Sequence, residues 1–188
     1  MKLWLRLLLL VWFPFNAWAW SPEGSEASDL LLGGLGMVLG HELGHLSAAR
    51  NKDVEFDGPA IVYSESTLQP RAKLRIAAAG FGTQWLLSEL AFNVLDQPET
   101  PRQRDLAAGA ILGHLVITGA YLTFLKDDAY GDVTAISEAT GYSRSRVAQW
   151  LALPAILDAW RLFGDPPQWV PHMTRGAKGW GVGWAWRW

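Results

Sequence analysis

The sequence predicts a mainly α-helical membrane protein: a small helical bundle of about four helices, a short strand region after the first helix and a Trp-rich C-terminal β-hairpin. Three observations support this fold class. Several apolar segments of helical length are separated by polar loops. Half of the residues (50%) are hydrophobic, while only 18% are charged. Near the C-terminus, tryptophans alternate with other residues at the two-residue period of a β-strand.

The overall composition limits the classes of function. Mean hydropathy is only +0.08, so the chain is not made wholly of bilayer spans. The formal net charge is -2, and no basic run interleaved with aromatic residues predicts a nucleic-acid partner. The chain has no cysteine. This excludes disulfides and thiolate metal sites, and leaves His, Asp and Glu as the metal ligands to consider.

Residues 1–19 have the pattern of an export signal. Lys2 and Arg6 give a positive start, residues 7–15 an apolar centre, and Ala17-Trp18-Ala19 a small-x-small cleavage site. An uncleaved anchor is the alternative, which the interruption by Pro14 disfavours. The pattern predicts export to a membrane of a bacterial-type cell envelope. The chain then divides into a signal peptide (1–19), a helical domain (20–165) and a hairpin (166–188).

The first mature helix is predicted at residues 30–49, after an acidic segment in which Ser28 or Asp29 can cap it. Glycines recur every four residues along it, at Gly36, Gly40 and Gly44. This small-xxx-small spacing lets a second helix approach closely and is common in membranes, whereas in water the same glycines would weaken a helix. We therefore expect a packed, intramembrane helix.

Three segments follow this helix. Residues 51–70 predict a strand-and-turn region, which would either hold an extended substrate by main-chain pairing or simply connect two helices. A second helix is predicted at residues 76–95. The third, at residues 106–125, is the strongest candidate for a membrane span, because it has no charge and its one polar interruption is His114.

The C-terminal third of the chain predicts smaller elements. A short helix at residues 133–139 ends at Gly141, and Ser143 caps a last, amphipathic helix that is expected to lie at the membrane interface. Beyond it, the tail predicts a β-hairpin with one aromatic face, formed by Trp180, Val182, Trp184, Trp186 and Trp188.

The segment His41-Glu42-Leu43-Gly44-His45 is a candidate metal-binding and catalytic motif. Residues four apart lie on the same face of a helix, so the two imidazoles can bind one metal ion. Glu42 is one position round the helix, close enough to act as general base on a water activated by Zn2+. Because such ionisable groups have few other uses among apolar residues, we prefer this interpretation to a chance triplet on a surface helix.

This helix resembles the active-site helix of the site-2 protease family of intramembrane zinc metallopeptidases, whose pattern HExGHxxxAR continues here with Ala48-Ala49-Arg50. Ala79-Gly80 is similar to the AGP segment that follows in that family. The resemblance covers roughly residues 30–95 and implies a zinc metallopeptidase. The chain also departs from the family pattern. Phe81 and Gln84 replace the Pro and Asn of the second segment, and the NxxPxxxLDG segment is absent as such.

A catalytic zinc needs three protein ligands and one open position, so the two histidines require a third partner. The resemblance implies Asp132, which follows Gly131 in a break after an apolar helix, where the family has its ligand Asp. A helix N-cap is an equally weighted role for Asp132. Ionisable groups isolated in apolar sequence supply the rivals, which are Glu89 and then His114, while Asp128 is a nearby substitute for Asp132.

The sequence leaves three functions open. The leading one is a membrane-embedded zinc metallopeptidase that cleaves a peptide or membrane-protein substrate among membrane lipids. The second is a non-catalytic membrane scaffold or structural metal-binding protein, whose metal would have no open position. The third is a soluble exported zincin, whose apolar helices form only a core.

Overall fold

The computed structural model describes residues 24–49, 54–57, 60–63, 68–164, 172–176 and 179–183, and the strands by their backbone. Five helices make up most of this part and confirm the mainly helical class: α1 (Ala27–Ala49), α2 (Pro70–Asp96), α3 (Pro101–Leu122), α4 (Asp132–Thr140) and α5 (Arg144–Phe163). Two antiparallel pairs complete it, β1 (Val54–Asp57) with β2 (Ala60–Tyr63), and β3 (His172–Gly176) with β4 (Gly179–Gly183).

The sequence prediction was wrong for the start of α1, which begins at Ala27 instead of residue 30, so Ser28 and Asp29 lie inside its first turn and do not cap it. Two further helices also begin earlier than the sequence predicted. α2 begins at Pro70 instead of residue 76, because Pro suits the first position of a helix and the Arg and Lys residues that follow are good helix formers. α3 begins at Pro101 instead of residue 106. There the Thr100 side chain accepts a hydrogen bond from the Gln103 backbone N–H at 3.1 Å, which caps the helix.

Several predictions lie outside the described residues. These are the signal peptide at residues 1–19, Arg50 of the motif, the turn at residues 58–59 and much of the tail at residues 166–188. The backbone pairing of β3 and β4 runs from His172 opposite Gly183 to Gly176 opposite Gly179. The aromatic face of the hairpin stays a prediction.

Glycines bring α1 close to two other helices. A side chain at Gly33 would overlap the Leu106 carbonyl of α3, and one at Gly40 would overlap Leu87 of α2. At Gly44, a Cβ would lie 2.6 Å from the Ala79 carbonyl oxygen of α2. The close approach predicted from the glycine spacing is thus present at two of the three positions. The prediction was wrong for Gly36, which faces open space. The spacing of the glycines does not indicate how far along α1 the contact with a second helix extends.

Two apolar clusters hold α2 against the C-terminal helices. The first joins α2, α3 and α5 and consists of Ala91, Phe92, Leu95, Ala107, Ala108, Ile111 and Leu162. The second joins α2, α4 and α5 and consists of Ala77, Val133, Ile136, Val147 and Ala148. Burial of this apolar surface is what keeps the first turn of α4 in place beside α2.

α3 is the one helix within the described part that is long and apolar enough to cross a membrane, with a mean hydropathy of 1.4 over its most apolar 18 residues. This property rests on length and composition alone. Of those 18 residues, 39% are buried inside the protein. Large apolar side chains are also exposed along α1, namely Leu31, Leu32, Leu35, Val38, Leu39 and Leu43. That α1 itself lies within a membrane stays a prediction.

Candidate metal centre

α1 presents both histidines of the motif on its buried face. His41 is 3% exposed and His45 is 5% exposed, and their Nε2 atoms lie 3.1 Å apart. The spacing of four residues accounts for this geometry, since it places the two rings about one helical turn apart on the same face. The predicted pair is therefore formed within a single helix.

Asp132 comes to this pair from a distant part of the chain. It is the first residue of α4, and its Oδ2 lies 3.1 Å from His41 Nε2 and 3.3 Å from His45 Nε2. The Tyr121 hydroxyl donates a hydrogen bond to the same oxygen at 3.0 Å. The structure thus brings together the three residues that the sequence singled out as metal ligands.

The three facing atoms have the spacing of a metal site. Ligand atoms about 2.0–2.1 Å from a tetrahedral zinc lie about 3.3 Å from one another. The Nε2 atoms of His41 and His45 and Oδ2 of Asp132 form a triangle with sides of 3.1, 3.1 and 3.3 Å. One face of a tetrahedron is therefore present, and its fourth corner is left for another group.

The protons of the two imidazoles are directed away from this triangle. His45 Nδ1 lies 2.8 Å from the carbonyl oxygen of Ile76, which only accepts, so Nδ1 carries the proton. His41 Nδ1 lies 2.9 Å from the amide oxygen of Gln84 and donates in the same way. In the neutral rings, both Nε2 atoms then present lone pairs to a carboxylate oxygen. Three acceptors this close repel one another unless a cation lies between them.

The charge of Asp132 favours such a cation. Burial by itself raises the pKa of this carboxyl, but hydrogen bonds and positive charge from His41 and His45, in the form in which both nitrogens of each ring carry protons, hold it at about 2. The group is consequently anionic at neutral pH. Protons on the imidazoles and a metal ion between them supply the same positive charge, so the two compete for the site.

Glu42 lies beside this triangle. Its carboxylate and the ring nitrogens of His41 and His45 are all within 4.8 Å of one another, a grouping that is suited to a metal without being specific for zinc. Unlike the two buried histidines, Glu42 is partly exposed. Its position thus combines contact with solvent and proximity to the two histidine ligand atoms, as a general base requires.

Gly80 of α2 forms the floor of the site. A Cβ there would overlap the His45 ring and lie 2.8 Å from His41 Cε1. The neighbouring Phe81 ring packs edge-on against His41, with ring centroids 5.3 Å apart. Both imidazoles therefore lie against Gly80, and His41 also lies against Phe81, which limits how far the rings can rotate.

We expect Gly80→Ala to lower the affinity for Zn2+ by about 10–100-fold, because the added methyl group displaces both rings from the ligand triangle. Equilibrium competition with a chelating dye measures this effect. Gly82→Ala is the matched control, since Gly82 is on the same helix and faces open space. Equal affinities of the two variants would contradict the role of Gly80.

The rival ligands lie elsewhere. Glu89 pairs with Arg161, at 2.5 Å between Oε1 and Nη1. His114 is buried behind Gln84, which contacts both it and His41. Asp128 is exposed and accepts a hydrogen bond from the Tyr130 backbone N–H. None of the three reaches the ligand triangle.

Two contributors to the site were not predicted from the sequence. Tyr121, near the C-terminal end of α3, bonds to Asp132, and Gln84 of α2 bonds to His41. From the sequence alone, Gln84 is recognisable only as a departure from the pattern of the site-2 protease family. A carboxamide within an apolar helix was the available signal, because a polar group that is costly to bury requires partners.

The comparisons with known proteins identify no relative of this chain. It matches no protein-family model, and no curated protein or solved structure is significantly similar to it.

Proposed function

We propose that this protein is a membrane-embedded zinc metallopeptidase in which His41, His45 and Asp132 bind Zn2+ and Glu42 is the general base. The observation that carries the proposal is the triangle of three acceptor atoms, 3.1–3.3 Å apart, in a buried setting. Two imidazoles and one carboxylate are a common ligand set of catalytic zinc, and they leave the fourth position open. Other divalent ions that prefer nitrogen and oxygen ligands compete for such a set.

The chemistry divides between the metal and the side chains. A bound Zn2+ lowers the pKa of a water and polarises a carbonyl group. Glu42 takes the proton from the attacking water and donates it to the amine that leaves when the peptide bond breaks. Asp132 and the two histidines contribute by fixed positions, since His41 and His45 are each hydrogen-bonded at Nδ1 and Asp132 is bonded to Tyr121.

The membrane setting is supported by the surface of the helices. α3 has the length and composition of a span. On α1, the exposed face opposite the histidines carries leucines, of which Leu39 is 64% and Leu43 is 60% exposed. Contact between such an apolar face and water is unfavourable, whereas contact with lipid chains avoids this cost in free energy. The substrate class that fits a site between these helices is a peptide or membrane protein.

Removal of the metal tests the proposal directly. The full chain, reconstituted in phospholipid vesicles with a library of peptides, is expected to cleave peptide bonds. Cleavage should stop after treatment with 1,10-phenanthroline and return when Zn2+ is added, because water activation depends on the ion. Cleavage that continues at full rate in metal-free protein would contradict the proposal.

A structural metal site is the second candidate function. Glu42 lies within 4.8 Å of the histidine ligand atoms, so its carboxylate is near enough to be a fourth ligand after a small movement. Four protein ligands would close the site and exclude catalysis. Substitution with Co2+ separates the two functions, since the spectrum of an open site changes when small anions are added and that of a closed site does not.

A further inference from the structure

We propose that Gln84 is a positioning residue that makes His41 a metal ligand, by holding the His41 proton on Nδ1 through a hydrogen-bond relay from α3. Gln84 is completely buried, with 0% of its surface exposed, and it lies between His41 and His114. The hydrogen bonds of the relay are present in the structure, and its consequence for catalysis rests on the proposed function.

The orientation of the Gln84 amide follows from its neighbours on α3. Its Nε2 lies 3.1 Å from the backbone carbonyl oxygen of His114 and 3.1 Å from Thr118 Oγ1. A carbonyl oxygen only accepts hydrogen bonds, so the NH2 group must face it. The reversed amide would place two carbonyl oxygens against each other in a buried site. The amide oxygen of Gln84 therefore faces His41 Nδ1, which must donate.

The same argument assigns the proton of His114. Its Nδ1 lies 2.6 Å from Gln84 Nε2, a donor, so Nδ1 is the acceptor and Nε2 carries the proton. Within the described residues this Nε2 has no hydrogen bond, and it lies 3.5 Å from the carboxylate of Asp158. Asp158 is 1% exposed, and its negative charge favours a proton on that nitrogen. The hydrogen-bond relay therefore runs from His114 through Gln84 to His41, and the Asp158 carboxylate lies beside its far end.

The relay determines which nitrogen of His41 is available to a metal. A proton on Nε2 would occupy the position that the ion needs, because this atom faces His45 and Asp132. With the proton held on Nδ1, the Nε2 lone pair points into the triangle. Outer partners of this kind orient histidine ligands, and their loss typically lowers metal affinity by about 10–100-fold.

Two substitutions of Gln84 distinguish positioning from packing. A glutamate side chain keeps an oxygen that accepts a hydrogen bond from His41 Nδ1–H in either protonation state, so Gln84→Glu is expected to keep the Zn2+ affinity. Gln84→Met fills a similar volume without polar atoms and is expected to lower the affinity by about 10–100-fold. A packing role predicts the opposite order, since Met is tolerated in cores and a buried Glu is not.

Gln103→Met is the matched control. It makes the same Gln-to-Met change near the start of α3, about four helical turns from Thr118, where the Gln103 side chain accepts a hydrogen bond from the Glu99 backbone N–H. Its Zn2+ affinity is expected to stay within about threefold of the wild-type value, which corresponds to less than about 1 kcal/mol. Competition with a chelating dye on the detergent-solubilised full chain measures all four proteins, and thermal unfolding without metal shows whether each is folded. A Met variant that is folded and binds Zn2+ as tightly as the wild type would overturn the proposal.

A spectroscopic measurement on the unaltered protein is independent of these variants. The chain has only 4 histidines, so selective 15N labelling gives a tractable spectrum of the Zn2+-loaded form. His114 is expected to be protonated on Nε2 and unprotonated on Nδ1. A proton on His114 Nδ1 would overturn the relay. Because neither measurement uses a substrate, the relay stands or fails separately from peptidase activity.

Discussion

Glu42→Gln is expected to bind Zn2+ as tightly as the wild type and to lose peptide cleavage. Gln has the size and polarity of Glu but does not take up a proton, and a general base contributes about 10²–10⁴-fold to a rate. The three atoms of the ligand triangle belong to His41, His45 and Asp132, so the affinity for the ion should not change. Peptide cleavage in vesicles and the zinc content of the same preparation measure the two properties together.

Glu138→Gln is the matched control for this substitution. Glu138 is exposed on α4, and its ion pair with Lys73 has an N–O distance of 3.5 Å, so its replacement should leave both zinc content and cleavage unchanged. Cleavage retained in Glu42→Gln would refute the assignment of the general base. Loss of zinc in that variant would instead identify Glu42 as a ligand and favour a structural site.

Asp132→Ala is expected to lower the affinity for Zn2+ by more than about 100-fold, because loss of a direct ligand exceeds the usual effect of an outer partner. The variant leaves the two imidazoles without the carboxylate oxygen that completes the triangle. Cleavage should be lost at zinc concentrations that saturate the wild type. Equilibrium competition with a chelating dye and the zinc content after dialysis measure the change.

Asp128→Ala separates the ligand from its nearest rival. Asp128 precedes α4 by four residues and is exposed, with its carboxylate bonded to the Tyr130 backbone. Removal of this group should leave zinc affinity within about threefold of the wild-type value, or less than about 1 kcal/mol. Equal losses of zinc affinity in Asp132→Ala and Asp128→Ala would contradict the assignment of Asp132 as the ligand. Of these two aspartates, Asp132 is the one with an oxygen 3.1 Å from His41 Nε2.

Local patterns in the sequence predicted the parts of the site that a single helix creates. The spacing of His41 and His45 is sufficient, because helix geometry alone brings residues four apart together. Asp132 was harder to predict, since its approach to His41 crosses 91 positions of sequence and depends on how α4 packs. Only the resemblance to a known pattern placed it in the site, and its alternative role as a helix cap could not be excluded from sequence.

The contacts of Gln84 could not be read from the sequence for a different reason. A carboxamide both donates and accepts, so its role depends on which groups face each end. Here α3 supplies the carbonyl and ring of His114 at one end, and α1 supplies His41 at the other. Helix ends were misplaced for a simpler reason. The charges before residue 76 suggested a loop, whereas Arg71, Lys73 and Arg75 belong to the first turns of α2.

The distance in sequence between the ligands gives the site a second physical consequence. His41 and Asp132 are 91 positions apart, so an ion between them closes a long loop of the chain, as a disulfide would in a protein that has cysteines. Because the unfolded chain does not assemble this triangle, an ion bound there would act as a removable crosslink between the first helix and the C-terminal half. At free zinc about 1,000 times the dissociation constant, mass action alone would add roughly 4 kcal/mol to the free energy of unfolding.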